Sequence, residues 1–274
     1  MNPTYLQKEA CFDWAGDWRS RRAHTGLEAN LRRAGIPEEA FWSRYASWVD
    51  SLQHDGYPGM LLDHVMSHVR ADSTVLDIGA GTGTFALPLS RAARHVTAVE
   101  PSHSQAAHLH NVAERHCTRN ITIIEKRWED IGHDAMGTFD LVLAAHSLQM
   151  DDLTEALRRM CRAARHRLLL VHTAGHSLSR VLQELFGIEP GPDYLYPYHV
   201  LCGMGFQPQI EMVTREYHVN LDLQLNILRY NPGLSAAQCE TLRDRVESQG
   251  MVFHRHSAPW LTRSCTDALI TIAL

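Results

Sequence analysis

The chain has 274 residues, with 26 Lys+Arg against 31 Asp+Glu for a formal charge of −5, and 45% hydrophobic against 21% charged residues. That balance belongs to a folded globular protein and excludes a long disordered chain, a collagen-like repeat and a small disulfide scaffold. With 18 histidines, full protonation would carry the charge from −5 to +13, so charge singles out no partner and nothing in it demands nucleic acid.

No stretch approaches the roughly 20 apolar residues of a membrane span. Residues 1–14 are broken by Lys8, Glu9 and Asp13 and lack a signal-peptide core. The six cysteines, Cys11, Cys117, Cys161, Cys202, Cys239 and Cys265, are scattered with no CxxC pair, which argues against a metal cluster or a dense disulfide framework. The simplest expectation is a cytoplasmic protein with reduced, packed thiols.

In chain order, residues 1–70 read as helical, a candidate N-terminal cap. Trp14 and Trp18 lie four apart, and Phe41, Tyr45 and Trp48 recur at helical spacing. Gly35-Ile36-Pro37 interrupts this stretch, with Pro37 set to open the next helix, and Tyr57-Pro58-Gly59 makes a second break before a short helix over 60–69. Packing between helices is the simplest role for these aromatics, and ligand contact is the alternative.

The pattern then changes. Short apolar runs at 74–78, 95–99, 120–125, 139–144 and 167–172 alternate with amphipathic stretches at 84–93, 102–116 and 153–164. Strands alternating with helices of this length imply βαβ units and a parallel sheet covered on both faces. Beyond residue 172 the alternation degrades. A helix is expected over 177–186, ended by Gly187, and then an aromatic, proline-punctuated loop over 191–198. Strands at 207–219 and 267–274 flank helices at 221–230 and 235–249, which Asn231-Pro232-Gly233 separates. There is no internal repeat.

The strongest signal is Val75-Leu76-Asp77-Ile78-Gly79-Ala80-Gly81-Thr82-Gly83-Thr84, at an expected strand-to-helix turn. Glycines at 79, 81 and 83 allow a sharp turn and a close ligand approach, and the helix N-terminus beyond would offer unpaired N–H groups. Glu100 stands at the end of the next strand, where doubly wound folds place an acid against the ribose hydroxyls of a nucleoside cofactor. A tight turn alone would explain the glycines. The ordered set of strand, GxGxG, helix, strand and terminal acid is harder to explain that way. A dinucleotide fingerprint wants a third small residue where Thr84 stands, and the absence of GKS or GKT excludes a P-loop.

The loop and Glu100 resemble the first motifs of the class I S-adenosylmethionine-dependent methyltransferases: Asp77-Ile78-Gly79-Ala80-Gly81-Thr82-Gly83 for the glycine motif and Val99-Glu100-Pro101-Ser102 for the ribose-binding strand end. Glu125-Lys126-Arg127-Trp128-Glu129-Asp130-Ile131 stands where the family reads adenine through a Gly-Asp pair; Arg127 replaces the acid, Trp128 could flank the base and Glu129 is a substitute acid. Phe139-Asp140-Leu141-Val142-Leu143-Ala144-Ala145-His146-Ser147-Leu148-Gln149 resembles the fourth motif. The likeness covers about residues 73–172.

The resemblance implies a doubly wound, seven-stranded, mostly parallel sheet with an antiparallel last strand. It would occupy 71–274, with a helical insertion at about 220–260. It also implies that S-adenosylmethionine binds and gives its methyl to an acceptor by in-line displacement. Asp77 would contact the methionine ammonium, and Gly79, Gly81 and Gly83 would wall the amino-acid part. Glu100 and Pro101 would hold the ribose, and Trp128, Glu129 and Ala145 would complete the cofactor site. Since the sulfonium methyl is already activated, the protein would align the partners, exclude water and supply a base where needed.

On the acceptor side, His146 is the candidate base, with Gln149, His172, Tyr194, Tyr196, Tyr198 and His199 as candidate substrate contacts. An exposed loop histidine and the packing of an irregular loop are the plain alternatives. The acceptor is expected to be a small molecule, since no RNA- or peptide-binding module is recognisable. His64 and His68, at i, i+4, could chelate a metal but lack the Glu of HExxH, so no metal is expected. His254 and His256 read as a polar loop. Arg158, Arg159, Arg162, Arg165 and Arg167 read as a solvated basic face. The rival functions are a nicotinamide-dependent oxidoreductase and a non-catalytic adenosyl-ligand-binding protein.

Overall fold

A computed structural model of the chain describes residues 12–53, 58–132 and 136–274, and within these the side chains of 47 and 49–53 are left aside. The readings made for residues 1–11 and for Tyr57 lie outside the described residues. The helical opening consists of α1 (Trp14–Thr25), α2 (Leu27–Arg33), α3 (Glu38–Gln53) and α4 (Met60–Met66). Asp13 caps α1 by accepting the Gly16 N–H at 2.8 Å.

The alternating region gives β1 (Thr74–Ile78), α5 (Ala86–Ser90), β2 (His95–Val99), α6 (His103–Arg115), β3 (Ile121–Ile124), β4 (Phe139–Ala145), α7 (Leu153–Ala163) and β5 (Ala164–His176). The C-terminal part adds α8 (Ser177–Phe186), α9 (Leu195–Gly203), β6 (Gln209–Asn220), α10 (Leu221–Tyr230), α11 (Ala236–Ser248), β7 (Val252–Arg255) and β8 (Ala258–Ala273).

The strands form one sheet in the order β3-β2-β1-β4-β5-β8-β6, with β7 paired to β8. Strands β1 to β5 run parallel, whereas β8 is antiparallel to β5, β6 and β7. The alternation of side chains across the sheet builds two cores. Leu76, Ile78, Val142, Ala144, Leu168 and Leu170 pack with Trp18, Leu157 and Leu201 on one face. Val75, Val96, Ala98, Leu141, Leu143 and Leu169 pack with Leu61, Leu89 and Leu109 on the other. A third cluster joins α8, α10 and α11 to Val219 and Leu261 at the far ends of β6 and β8.

Several expectations need correction. The amphipathic stretch over 84–93 is helical only over Ala86–Ser90, because the glycine loop occupies its start and turns follow Ser90. The expected loop over 191–198 is helical from Leu195; Pro197 is third in α9, where its missing N–H breaks no helical bond. The sheet has the expected doubly wound, mostly parallel order with antiparallel last strands, and the short β7, paired with the first half of β8, adds an eighth strand to it. His254 lies in β7, and His256 sits at the turn with φ +51°.

The basic run is also not one solvated face. Arg159 is buried, lies over the Trp128 ring at 4.8 Å and donates to the Glu129 and Ile131 carbonyls, while Arg165 pairs with Asp140 at 2.7 Å. His64 faces Glu211 at 3.2 Å and His68 contacts the Arg167 guanidinium. Among the described residues no helix is long and apolar enough to cross a membrane.

Trp18 ties α1 to the sheet core: it is 1% exposed, and its indole N–H donates to the Met150 carbonyl at 2.8 Å. Trp18→Ala is expected to cost about 3–5 kcal/mol, the range for deleting a buried large aromatic, read as a lowered urea midpoint.

Candidate functional site

The strand order reverses between β1 and β4, and in open α/β sheets ligands bind outside the carboxyl ends of strands at such a switch point. A cavity of about 420 Å³ opens there. Its floor is the ends of β1, β2 and β4, including Asp77, Glu100, Ala145 and His146. Its roof comes from α2 and α3 (Leu27, Phe41, Trp42, Tyr45) and from Ile227 of α10 with Asn231 just beyond.

Asp77 is the most constrained charge in the cavity. It is 2% exposed, and its Oδ2 is buried without a hydrogen-bond partner. Burial pushes its carboxyl up to about 7, with the nearby Glu100 adding to the shift and the Ala86 N–H opposing it. Glu100 is 5% exposed but satisfied: Oε2 accepts the Gly81 N–H and Oε1 the Ser102 N–H, both at 2.8 Å. Burial still raises its pKa above the ordinary carboxylate value.

The loop therefore works differently from the expectation of free helix-end donors. The N–H groups of Gly79 and Ala80 both go to the Val99 carbonyl, at 2.7 and 3.0 Å, that of Gly81 goes to Glu100, and that of Gly83 goes to Ala80. These four N–H groups are thus committed within the protein. The loop's glycines also serve the protein's own packing. At Gly79 (φ +70°) a Cβ would stand 2.3 Å from the Ser147 Cβ, and at Gly83 (φ +93°) it would stand 2.4 Å from Leu109 Cδ1. Gly83 is not among the cavity-lining residues.

Arg127 lines the cavity and is engaged by both roof helices, pairing with Glu28 at 3.0 Å and Glu38 at 2.8 Å. Arg127 thus ties α2 and α3 to the cavity rim. Trp128 belongs to the core, with its indole N–H donating to the Ala156 carbonyl at 3.3 Å, and one edge reaches the cavity beside Glu129. Pro101 and Gln105 complete that side.

Across the cavity, His146 adopts φ +54° and its N–H donates to the Val171 carbonyl at 2.8 Å. Its ring Nε2 stands 3.6 Å from Oδ1 of Asp267, a fully buried carboxylate on β8. Burial holds the His146 imidazole below its ordinary pKa; Asp267 opposes that shift and Arg215 adds to it. Gln149 also lines the cavity, its amide oxygen accepting from Arg22 at 3.0 Å.

The remaining acceptor-side candidates are not brought into the cavity lining. His172 is held edge-on to Trp18 and accepts the Thr173 N–H, and burial drives its pKa down to about 3. Tyr196 donates its hydroxyl to Asp17 at 2.6 Å, His199 stacks on Trp14 at 4.1 Å, and Tyr194 and Tyr198 pack around the same core. These side chains dock α9 against α1. Sequence reasoning missed the roof residues Leu27, Glu28, Glu38, Trp42, Ile227 and Asn231, and it missed Asp267. The signal for Asp267 was a lone acid inside the apolar run Ala268-Leu269-Ile270 and its flank.

Residues 75–167 match the family model described as a methyltransferase domain. An uncharacterized protein of Haemophilus influenzae is 32% identical over 152 residues, 54% of this chain and 56% of that relative, so the chain spans about half the length of the curated relative it matches. Among solved structures, the YcgJ protein of Bacillus subtilis aligns with a TM-score of 0.57 at 17% identity, over 77% of this chain and 97% of the other. A candidate methyltransferase of Bacillus halodurans aligns with a TM-score of 0.55 at 14% identity, over 78% and 97%. At such identities the likeness to these structures is one of fold.

Asp77 also leaves a signature in stability. Its folded pKa lies above its unfolded value, so the folded state holds a proton that the unfolded state has lost between about pH 4 and 7. Stability from this group is therefore full at low pH and declines as pH rises through that window. Asp77→Asn cannot ionise, and the difference in unfolding free energy between wild type and variant should move in the variant's favour from pH 4 to 7, as measured by urea denaturation across pH.

Proposed function

We propose that this chain, whose residues 75–167 carry a class I methyltransferase domain, binds S-adenosylmethionine in the switch-point cavity and transfers its methyl group to a small-molecule acceptor by in-line displacement. The observation that carries this reading is Asp77: a buried carboxylate oxygen without a partner, at the floor of a cavity, wants a cation. The α-ammonium of the ligand's methionine part supplies one. Glu100 holds the ribose hydroxyls through the lone pairs that its two backbone partners leave over, and Pro101, Trp128, Glu129 and Ala145 line the adenosyl part. A cavity of about 420 Å³ falls within the usual range for small-ligand sites.

When bound, the ligand supplies an activated sulfonium methyl. The chain then has to orient the acceptor behind the methyl, keep water out and receive a proton where the acceptor carries one. The roof of α2, α3 and α10 supports water exclusion, and His146 is the group within the cavity suited to receive a proton. We read residues 1–70 as a cap and 71–274 as the catalytic domain, with the helices of about 220–260 as an insertion that completes the roof. Metal has no role in this reading.

Titration calorimetry with S-adenosylhomocysteine and with NAD(H) tests it. S-adenosylhomocysteine should bind and NAD(H) should not, and the reverse pattern would favour an oxidoreductase. Glu100→Ala should weaken S-adenosylhomocysteine binding by about 1–3 kcal/mol, the order for hydrogen bonds to a charged group. Affinity should also rise as pH rises through about 7, because Asp77 must ionise to hold the ammonium; a flat profile would remove Asp77 from that role.

A further inference from the structure

His146 is not simply a loop histidine near the cavity; buried groups on three neighbouring strands surround it. Asp267 of β8 is 0% exposed, and its two oxygens are divided between partners. Oδ2 accepts the Arg215 Nε–H and pairs with the second guanidinium nitrogen, both at 3.1 Å, while Oδ1 receives the Cys265 thiol at 3.5 Å and faces His146 Nε2 at 3.6 Å. Burial raises the Cys265 thiol to about 11, so it stays a donor. A buried carboxylate with one guanidinium is electrically balanced, and its second oxygen remains available to a proton on His146. A further titratable neighbour among the described residues is His172 on β5, which burial keeps neutral.

The same end of the cavity is aromatic. Tyr45 of α3 lines it and lies within electrostatic reach of Tyr217 and Arg263 on β6 and β8, the two strands that carry Arg215 and Asp267. Ile227, Phe41 and Trp42 add apolar walls. That wall suits a flat acceptor, and a histidine backed by a buried carboxylate suits one that must lose a proton to react.

We propose that His146 is the base for a phenol-type hydroxyl acceptor and that Asp267, held by Arg215, is its positioning residue. The proposal rests on the adenosyl reading of the cavity. With Nε2–H directed at Asp267, the imidazole is the tautomer whose Nδ1 is basic. The acceptor oxygen gives its proton to Nδ1 and forms the bond to the methyl carbon. The carbon–sulfur pair returns to sulfur as a thioether, and the imidazolium later releases its proton to water. Asp267 stabilises the imidazolium, and the 3.6 Å contact shortens to a charge-assisted hydrogen bond as that charge appears.

Two measurements test this. Nitrogen-15 NMR of the histidines in the full chain with S-adenosylhomocysteine bound, with His146→Gln to assign the resonance, should show His146 as the Nε2–H tautomer. Adding 4-hydroxybenzoate or catechol should shift that resonance. An Nδ1–H tautomer, or no shift with either phenol, overturns the proposal, and both readouts use wild-type protein. Labelled methyl donor is then offered with the same phenols, aniline and thiophenol. Transfer to oxygen is expected, with His146→Gln about 100-fold slower or more.

Asp267→Asn should lower kcat about tenfold or more with KM little changed, and should move the acid limb of the pH profile to lower pH because the imidazolium loses its carboxylate. An unmoved limb, or transfer to nitrogen or sulfur alone, overturns the proposal. Absence of calorimetric heat with S-adenosylhomocysteine would instead sink the adenosyl reading beneath it.

Discussion

The site is organised around a carboxylate oxygen taken out of water and given nothing to bond. Asp77 ends the central strand β1, flanked by β2 and β4 and closed over by the glycine loop, so its burial is a consequence of the sheet itself. Burying an ionised carboxylate without compensation is costly, and the group answers by holding its proton to about pH 7. A second carboxylate, Glu100, stands in the same cavity yet is tied to two backbone N–H groups. One acid is thus fixed in place by the backbone and the other keeps an oxygen without a partner, an asymmetry on which the proposed orientation of an adenosyl ligand rests.

Distant parts of the chain complete the enclosure. Arg127, from the segment after β3, draws α2 and α3 onto the rim through Glu28 and Glu38, and Glu39 accepts the backbone N–H of Ser104 at 2.8 Å at the start of α6. Leu27, Leu31 and Phe41 form a small core that Tyr230 of α10 joins. Exposed ion pairs contribute little each, so the apolar roof cluster carries the closure and the charges set its register. Behind the far wall, Asp267 and Arg215 make a balanced buried pair on the two C-terminal strands, which brings the last elements of the chain to the His146 end of the cavity.

Much of this was legible in the sequence because the signals are local. The five parallel strands and the helices α6 and α7 followed from apolar periodicity, and the loop with Glu100 followed from glycines, strand ends and one acid in order. What escaped depends on contacts between remote segments. Arg127 looked like a lost adenine contact until its two glutamate partners came from residues 89 and 99 positions earlier. Tyr196 looked like part of a pocket wall because its burial against Trp14 and Trp18 has no local signature. The β7–β8 hairpin pairs Val252 with Leu261 and Phe253 with Trp260, apolar stretches too short for alternation to announce the pairing.

The central claim is that the unpartnered oxygen of Asp77 receives the ammonium of an adenosyl amino acid. A crystal structure of the complex with S-adenosylhomocysteine tests it most directly. The account predicts the ligand's amino nitrogen at about 3 Å from Asp77 Oδ2, with the ribose over Glu100. A ligand lying elsewhere, or one whose amino group turns away from Asp77 while the sugar leaves Glu100 untouched, would contradict it.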